Sequence, residues 1–181
     1  MKSLRTTLMS GIALASVAAF MIPSAAQAAD FTVSSPAVGS NSMLPATYTC
    51  DGAGTSPPIR WTGAPKKTKG FAVMMDSAAP EGGYHDYWNV WNIPAKRKGL
   101  AASNKRVGTT GGNSVNRDAA YSPPCSKGPG DKVYTIHVYA LSGKPKLPKT
   151  NSASISRDEL LAAISKKTLK EASIDVHYSR P

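Results

Sequence analysis

The sequence has few of the residues on which several common classes of protein depend. Its 181 residues include two cysteines, three histidines and 11 acidic residues, against 22 basic ones. Two cysteines without a Cys-x-x-Cys pair exclude a zinc finger and a thioredoxin-like redox site. The sequence patterns of a nucleophile elbow, a P-loop, a His-Glu-x-x-His metalloprotease and a Rossmann dinucleotide site are also missing. We therefore predict a protein that uses no cofactor and no metal ion.

Long hydrophobic runs are missing too, with one exception at the N-terminus. Residues 1–29 begin with two basic side chains, continue in an apolar run and end in the small-residue stretch Ala26-Gln27-Ala28. This layout is typical of a secretory signal peptide, and the run is shorter than the roughly 20 residues that a transmembrane helix needs. We expect cleavage near Ala29, and hence a periplasmic or secreted protein.

Residues 30–181 are enough for a single domain with a substantial core. They hold 20 basic and 11 acidic residues, a net charge of about +9. Lysines and arginines are concentrated in three runs, at 66–69, 96–98 and 144–149. No aromatic residues are interleaved and no nucleic-acid-binding motif accompanies them, so nucleic acid is not an expected partner. The runs are interpreted as solvated loops, with peripheral membrane contact as the most that they indicate.

Cys50 and Cys125 are the only cysteines and lie roughly 75 residues apart. In an oxidising compartment an even pair favours a disulfide. Such a bond would stabilise the protein by on the order of 3 to 4 kcal/mol through loop closure. Two separately buried thiols are the alternative.

Short β-type segments, separated by 15 glycines and 14 prolines, make up most of the domain. Strands are predicted over 31–33, 59–62, 71–75, 87–93, 133–141 and 174–178. One helix is predicted over Arg157–Ile164, because Ser156 can cap it and Glu159 follows three residues later, as in a capping box. The pattern indicates a mostly β fold, in the form of a β-sandwich.

The stretch DSAAPEGGYHDYWNVWNIPA, residues 76–95, concentrates polar and aromatic side chains around a Gly-Gly turn. Alternation along a strand predicts that His85, Tyr87, Asn89 and Trp91 share one face. Such a face would line a polar pocket with an apolar floor. From these residues alone, a half-buried core strand with polar ends is an equal alternative.

Four segments follow one another along the chain: DG…SPPIRW at 51–61, DSAAP at 76–80, WNVWNIPA at 88–95 and AYSPPC…KVY…VYAL at 120–141. Together they resemble the motifs CDG…SPPLxW, D-x-D-A-P, HWVVxNIPA and GYxGPC…HRYxFxVYAL of the phosphatidylethanolamine-binding protein family, in its bacterial Raf-kinase-inhibitor-like branch. The resemblance covers nearly all of the exported part. It implies an antiparallel β-sandwich with a large central sheet, a smaller sheet and a helix in the C-terminal region.

The resemblance also implies a small cavity that binds an anion, such as the phosphate of a phospholipid head group. The ligand-binding residues are then Asp76, Tyr87, Tyr121, Pro123, Pro124, Lys132 and Tyr134, together with His85, which lies two residues before Tyr87. The chain departs from the family pattern at four positions. The second aspartate of D-x-D-A-P is Ala78, Tyr87 and Lys132 stand where the family has histidines, and Pro123 replaces a glycine and removes a backbone N–H.

The predicted function is that of an exported, non-enzymatic binding protein for a small anion or phospholipid head group. The alternative is an inhibitor or regulator of a periplasmic or host protein, because family members block kinases and proteases. A hydrolase that uses Asp76 and His85 is a third hypothesis, but no base or oxyanion hole can be assigned to the neighbouring Ser77. The oligomeric state stays open, a dimer included.

Overall fold

The computed structural model describes residues 29–126 and 130–180, so the predicted signal peptide lies outside the described residues except for Ala29. In chain order the described part forms β1 (Thr32–Ser34), β2 (Ser42–Met43), β3 (Ile59–Thr62), β4 (Gly70–Ala78), β5 (Tyr84–Pro94), β6 (Gly99–Leu100), β7 (Thr109–Thr110), β8 (Lys132–Leu141), α1 (Arg157–Ile164) and β9 (Thr168–Tyr178). Within these ranges no helix has the length and apolar character needed to cross a membrane.

The strands form two sheets. The large sheet has the strand order β2-β9-β8-β4-β5-β7, and its pairs are antiparallel except for the parallel pair β2–β9. The small sheet has the order β1-β3-β6 and is antiparallel. Two sheets with one helix in the C-terminal region confirm the predicted mostly β architecture.

The main core fills the space between the two sheets. The small sheet contributes Ile59 and Trp61, and the large sheet contributes Phe71, Val73 and other buried side chains. Trp61 lies against Phe71 with ring centroids 4.9 Å apart. Aromatic side chains of this kind bury about 150–250 Å² each and therefore carry much of the hydrophobic stabilisation.

A second, smaller core lies on the other face of the large sheet, where α1 packs. Met74 and Trp91 of the sheet contact Leu160 and Ile164 of the helix in this core. The helix begins with the predicted capping box, since the Ser156 hydroxyl accepts a hydrogen bond from the backbone N–H of Glu159 while the Glu159 carboxylate accepts one from the N–H of Ser156. The predicted helix boundaries are confirmed.

Two β-bulges interrupt the pairing of β5 with β4. One places Tyr87 as an extra residue between the pairs Met75–Trp88 and Asp76–Asp86, and the other lies near Asn92, whose φ is +56°. Because each bulge shifts the alternation by one residue, Tyr87 and Trp88 both face the main core. Asn89 and Trp91 face the helix instead. The predicted common face of His85, Tyr87, Asn89 and Trp91 is therefore wrong.

Candidate functional site

Four tyrosines gather at one end of the large sheet, on the face of the main core. Tyr87 comes from β5, Tyr134 from β8 and Tyr178 from β9, and Tyr121 lies in the loop before β8. The rings of Tyr87 and Tyr134 meet edge to face with their centroids 5.1 Å apart, and Tyr121 meets Trp88 in the same way at 5.8 Å. We call these four residues the tyrosine cluster.

The phenols of Tyr121, Tyr134 and Tyr178 are protonated at neutral pH. Burial raises the pKa of Tyr121 and of Tyr134, and the neighbouring tyrosines raise both further. Burial and a hydrogen bond to Asp51 also raise the pKa of Tyr178. Because a protonated phenol has one hydrogen to donate, the cluster presents hydrogen-bond donors rather than negative charge.

Two of the four hydroxyls donate their hydrogens to fixed groups of the protein. The Tyr121 hydroxyl donates to the backbone carbonyl of Tyr48 at 2.6 Å, and the Tyr178 hydroxyl donates to the carboxylate of Asp51. The hydroxyls of Tyr87 and Tyr134, whose rings are in contact, donate to no such group within the described part of the chain. Their hydrogens are therefore available to a ligand.

Lys132 adds a positive charge beside these phenols. It is the first residue of β8 and lies directly opposite Tyr178 in the β8–β9 pairing. Residues opposite each other, and residues two apart along a strand, share one face of a sheet, so Lys132 lies on the face of Tyr134 and Tyr178. Among the described residues Lys132 makes no ion pair, whereas Arg180 donates to Asp51 with an Nη2–Oδ1 distance of 2.7 Å.

Two loops border the tyrosine cluster and are joined by the predicted disulfide, which the structure confirms. Cys50 and Cys125 are bonded with their Cα atoms 5.2 Å apart, and the Cys50 N–H donates to the carbonyl of Pro124 at 3.0 Å. Pro123 packs over Gly54, whose φ of +62° and close approach to the proline ring suit a residue without a side chain. The predicted Pro123 and Pro124 thus lie where the two loops contact each other.

The bulge at Tyr87 connects the loop that contains Pro123 to the large sheet. The carbonyl of Tyr87 accepts a hydrogen bond at 2.8 Å from the N–H of Ser122, in the same loop as Pro123. A regular strand pairing would not leave this carbonyl to the loop, because an extra residue in a bulge is unpaired with its partner strand. The bulge therefore explains how a strand residue and the loop before β8 come together.

Asp76 does not join the tyrosine cluster. It lies opposite Thr135 in a regular β4–β8 pairing, which turns its side chain to the helix-facing side of the sheet. There the Nε of Arg157 donates to its Oδ2 at 2.6 Å, and the Nε2 of His137 lies 3.4 Å from its Oδ1. Burial opposes ionisation of Asp76, but His137 and Arg157 outweigh it through hydrogen bonds and charge, so its pKa is below the ordinary value.

The Asp76 network attaches α1 to the sheet. Burial lowers the pKa of His137, but hydrogen bonds and charge from Asp76 and Glu171 outweigh burial and raise this pKa above its ordinary value. The Nδ1 of His137 lies 2.7 Å from the Glu171 carboxylate. The guanidinium of Arg157, the first residue of α1, also lies 4.0 Å from the ring centroid of Tyr84. The placement of Asp76 in a pocket wall, which the resemblance implied, therefore differs from its position in the structure.

His85 lies near the tip of the β4–β5 hairpin. Its Nε2 is 3.3 Å from the carboxylate of Glu81, and its side chain is 44% exposed. It pairs with Ser77, one residue beyond the Asp76–Asp86 pair, so it lies on the opposite face from Asp76. The described side chains show no hydrogen bond between His85 and Ser77, and Asp76 and His85 are not brought together as a hydrolase would require.

Three residues of this site were not predicted from the sequence. Asp51, Tyr178 and Arg180 connect the loop after the 3-10 turn Ala46–Tyr48 to the C-terminal strand through two hydrogen-bonded contacts. Asp51 was part of the DG segment that carried the resemblance, but its partner Arg180 is 129 residues away in the sequence. The fold alone brings Asp51 next to Tyr178 and Arg180.

The fold and the site define a two-sheet β protein with a cluster of donors at one end of its large sheet. A family model described as phosphatidylethanolamine-binding protein matches residues 34–179. The chain belongs to this family.

Relatives agree with the assignment. The UPF0098 protein YbcL of Escherichia coli is 34% identical over 162 residues, which cover 81% of this chain and 86% of that protein. The crystal structure of YbcL, described as a new member of the mammalian PEBP family, has a TM-score of 0.75 at 27% identity and covers 84% of this chain and 100% of that one. A phosphatidylethanolamine-binding protein homologue of Chlamydia trachomatis, CT736, has a TM-score of 0.75 at 22% identity, covers 83% and 98% of the two chains, and supports the fold alone.

Proposed function

We propose that the protein is an exported, non-enzymatic binding protein that holds the anionic group of a small ligand, such as the phosphate of a phospholipid head group, at the tyrosine cluster. The single observation that carries the proposal is the position of Lys132 on the same face as the protonated phenol of Tyr134, whose ring contacts that of Tyr87. A cation beside hydroxyl donors suits an anion, because hydrogen bonds to a charged group contribute about 1.5–3 kcal/mol each.

The charges around the cluster support an anionic rather than a cationic ligand. Asp51 is hydrogen-bonded to Arg180 and Tyr178, and Asp131 is paired with His177. Both carboxylates therefore have partners, while Lys132 has none among the described residues. An anion that enters the cluster meets a positive charge that nothing else in the described site compensates.

Export and a binding role are supported by features outside the cluster. The expected signal peptide directs the chain to an oxidising compartment, and the Cys50–Cys125 disulfide suits that environment. The separation of Asp76 from His85 removes the residue pair on which the hydrolase hypothesis depended. The family description, phosphatidylethanolamine-binding protein, agrees with a phosphate-bearing ligand.

The proposal is tested by calorimetric titration and thermal unfolding with inorganic phosphate and with glycerophosphoethanolamine. A ligand that binds only the native protein raises the melting temperature and stabilises it by about 2.7 kcal/mol at 100 times its Kd. We expect Lys132→Gln and Tyr87→Phe to reduce this stabilisation strongly. Lys170→Gln is the matched control, because it removes an exposed charge of the same kind away from the cluster.

Unchanged stabilisation in both Lys132→Gln and Tyr87→Phe would refute the assignment of the site. If neither ligand stabilised the native protein, and a periplasmic or host protein were captured instead with an affinity that these ligands leave unchanged, the inhibitor or regulator function would replace the proposed one.

A further inference from the structure

The end of the large sheet opposite the tyrosine cluster is strongly basic. Three stretches without any acidic residue, 52–75, 87–117 and 132–157, supply the loops at this end. They bring together two of the basic runs of the sequence, 96–98 and 144–149, because Pro94 at the end of β5 and Leu141 at the end of β8 both pair with Gly70. Positive charge that is scattered along the sequence is thus concentrated in space.

A cleft of about 430 Å³ lies between these loops. Its walls come from the turn after β5, the loop before β7 and the loop after β8, and they carry four cationic side chains, Arg97, Arg106, Lys144 and Lys149. We call it the basic cleft. Its volume is within the range of about 300–1,000 Å³ that is typical of small-ligand sites.

The four cations of the basic cleft have no partner within the described part of the chain. None of them makes an ion pair, and none of their side chains makes a hydrogen bond. Two guanidinium and two ammonium groups around one cavity repel each other, and a bound anion relieves this unfavourable interaction. Arginine is also the side chain that matches the oxygens of a phosphate or sulfate with two parallel hydrogen bonds.

Buried tryptophans hold the backbone of two cleft loops in place. The indole N–H of Trp61 donates to the carbonyl of Arg97 at 3.1 Å, and that of Trp91 donates to the carbonyl of Pro148 at 3.0 Å. Both indoles are almost fully buried, that of Trp61 in the main core and that of Trp91 in the smaller core beneath α1. The cleft is therefore held by the rigid part of the fold, which reduces the ordering cost of binding a ligand.

An apolar compartment of about 200 Å³ adjoins the basic cleft. The two cavities share the wall formed by Lys144 and Pro145, and the floor of the second is made by Phe71, Ile93 and Leu141. A ligand that extends across this wall would place a charged group among the cations and an apolar group on a hydrophobic floor. Inorganic anions use only the first of these two environments.

We propose that the basic cleft is a second ligand site, which binds a small organic phosphate or sulfate ester with its anionic group among Arg97, Arg106, Lys144 and Lys149 and its apolar group in the adjoining compartment. The site is independent of the proposed function, because the tyrosine cluster lies at the other end of the same strands. The cations surround a cavity, which suits a discrete soluble ester better than the flat surface of a membrane.

Calorimetric titration with phenyl phosphate and with inorganic phosphate tests the proposal. We expect the Arg106→Gln/Lys144→Gln variant to bind phenyl phosphate at least about tenfold more weakly than the unmodified protein, since charge-assisted hydrogen bonds are lost. The control variant Arg117→Gln/Lys170→Gln loses the same net charge from exposed positions outside the cleft, and we expect its affinity to change by less than about twofold, in line with the screening of distant surface charges. Phenyl phosphate should bind more tightly than inorganic phosphate.

The same titrations in the Lys132→Gln background distinguish this proposal from the proposed function. Binding that survives Lys132→Gln and is lost in Arg106→Gln/Lys144→Gln belongs to the basic cleft. Equal weakening in the cleft variant and the control variant would overturn the proposal, since it would reveal only a dependence on net charge. Equal affinity for phenyl phosphate and inorganic phosphate would overturn the role of the apolar compartment. Adsorption to phosphatidylglycerol vesicles without binding of phenyl phosphate would overturn the proposal in favour of a membrane-facing surface.

Discussion

Arg157→Met removes the cation that holds Asp76 and keeps most of the apolar stem of the side chain. In the folded protein the Asp76 side chain is only 3% exposed and the Arg157 side chain 17%. Their Nε–Oδ2 distance of 2.6 Å makes this pair the main hydrogen-bonded link between α1 and the large sheet. The substitution leaves a buried carboxylate with one remaining neighbour, His137, at 3.4 Å.

The expected cost follows from the burial of this pair. Removal of one partner from a buried ion pair costs about 3–5 kcal/mol, because the other charge is left without compensation. His137 retains part of that compensation, so we expect a loss near the lower end, about 3 kcal/mol of unfolding free energy. For a domain of this length each kcal/mol corresponds to about 2–4 °C, which predicts a melting temperature lower by about 6–12 °C.

Urea unfolding followed by tryptophan fluorescence, with the disulfide intact, measures this loss. A shift of the midpoint at constant slope shows that stability itself has changed. The double variant Asp76→Asn/Arg157→Met should be more stable than Arg157→Met alone, because it removes the uncompensated charge. A loss below about 1 kcal/mol, or a double variant no more stable than the single one, would refute the description of Asp76 as a structural ion-pair partner. Asp76→Asn should also leave phosphate binding unchanged.

Two further predictions concern pH and redox state. The raised pKa of His137 means that its stabilising contribution is complete below the unfolded pKa of about 6.5 and is lost as the pH rises through the folded value. His137→Gln should therefore cost more stability at about pH 5.5 than at about pH 8.5 in urea unfolding, and equal costs at both would contradict the assignment. Cys50→Ser/Cys125→Ser should lower the unfolding free energy by about 3 to 4 kcal/mol. It should also weaken phosphate binding, because the disulfide joins the two loops of the site. A variant that binds phosphate as well as the unmodified protein would show that the loops do not need the disulfide.

The regular parts of the fold were accessible from the sequence because their signals are local. The helix Arg157–Ile164 has its capping residues within three positions, and the strand Ile59–Thr62 is bounded by prolines on one side and a glycine on the other. The strand predicted over 174–178 was too short, since β9 begins at Thr168. Lys170 and Glu171 obscure the alternation in the first half of this strand. Local patterns thus located the elements but not all of their ends.

The site was only partly accessible because it depends on the bulges and on distant partners. Strict alternation from His85 onward groups Tyr87 with Asn89, whereas the bulge at Tyr87 puts these two side chains on opposite faces. Asp76 shows the same limit of local patterns. Nothing near it in the sequence indicates that its carboxylate forms an ion pair with Arg157, which lies 81 residues later. The resemblance supplied three of the four tyrosines and Lys132 but not Tyr178, while the pairing register decided which of the proposed residues meet.

The outermost strands of the large sheet, β2 and β7, have only two residues each. An edge of that length exposes few backbone groups to which another chain can add a strand. The next strands inward are also poor templates for pairing with another chain, because β9 carries Lys170 and Glu171 in its first half and β5 contains two bulges. Strand-by-strand addition between molecules is therefore disfavoured, so the protein should resist edge-to-edge aggregation at high concentration.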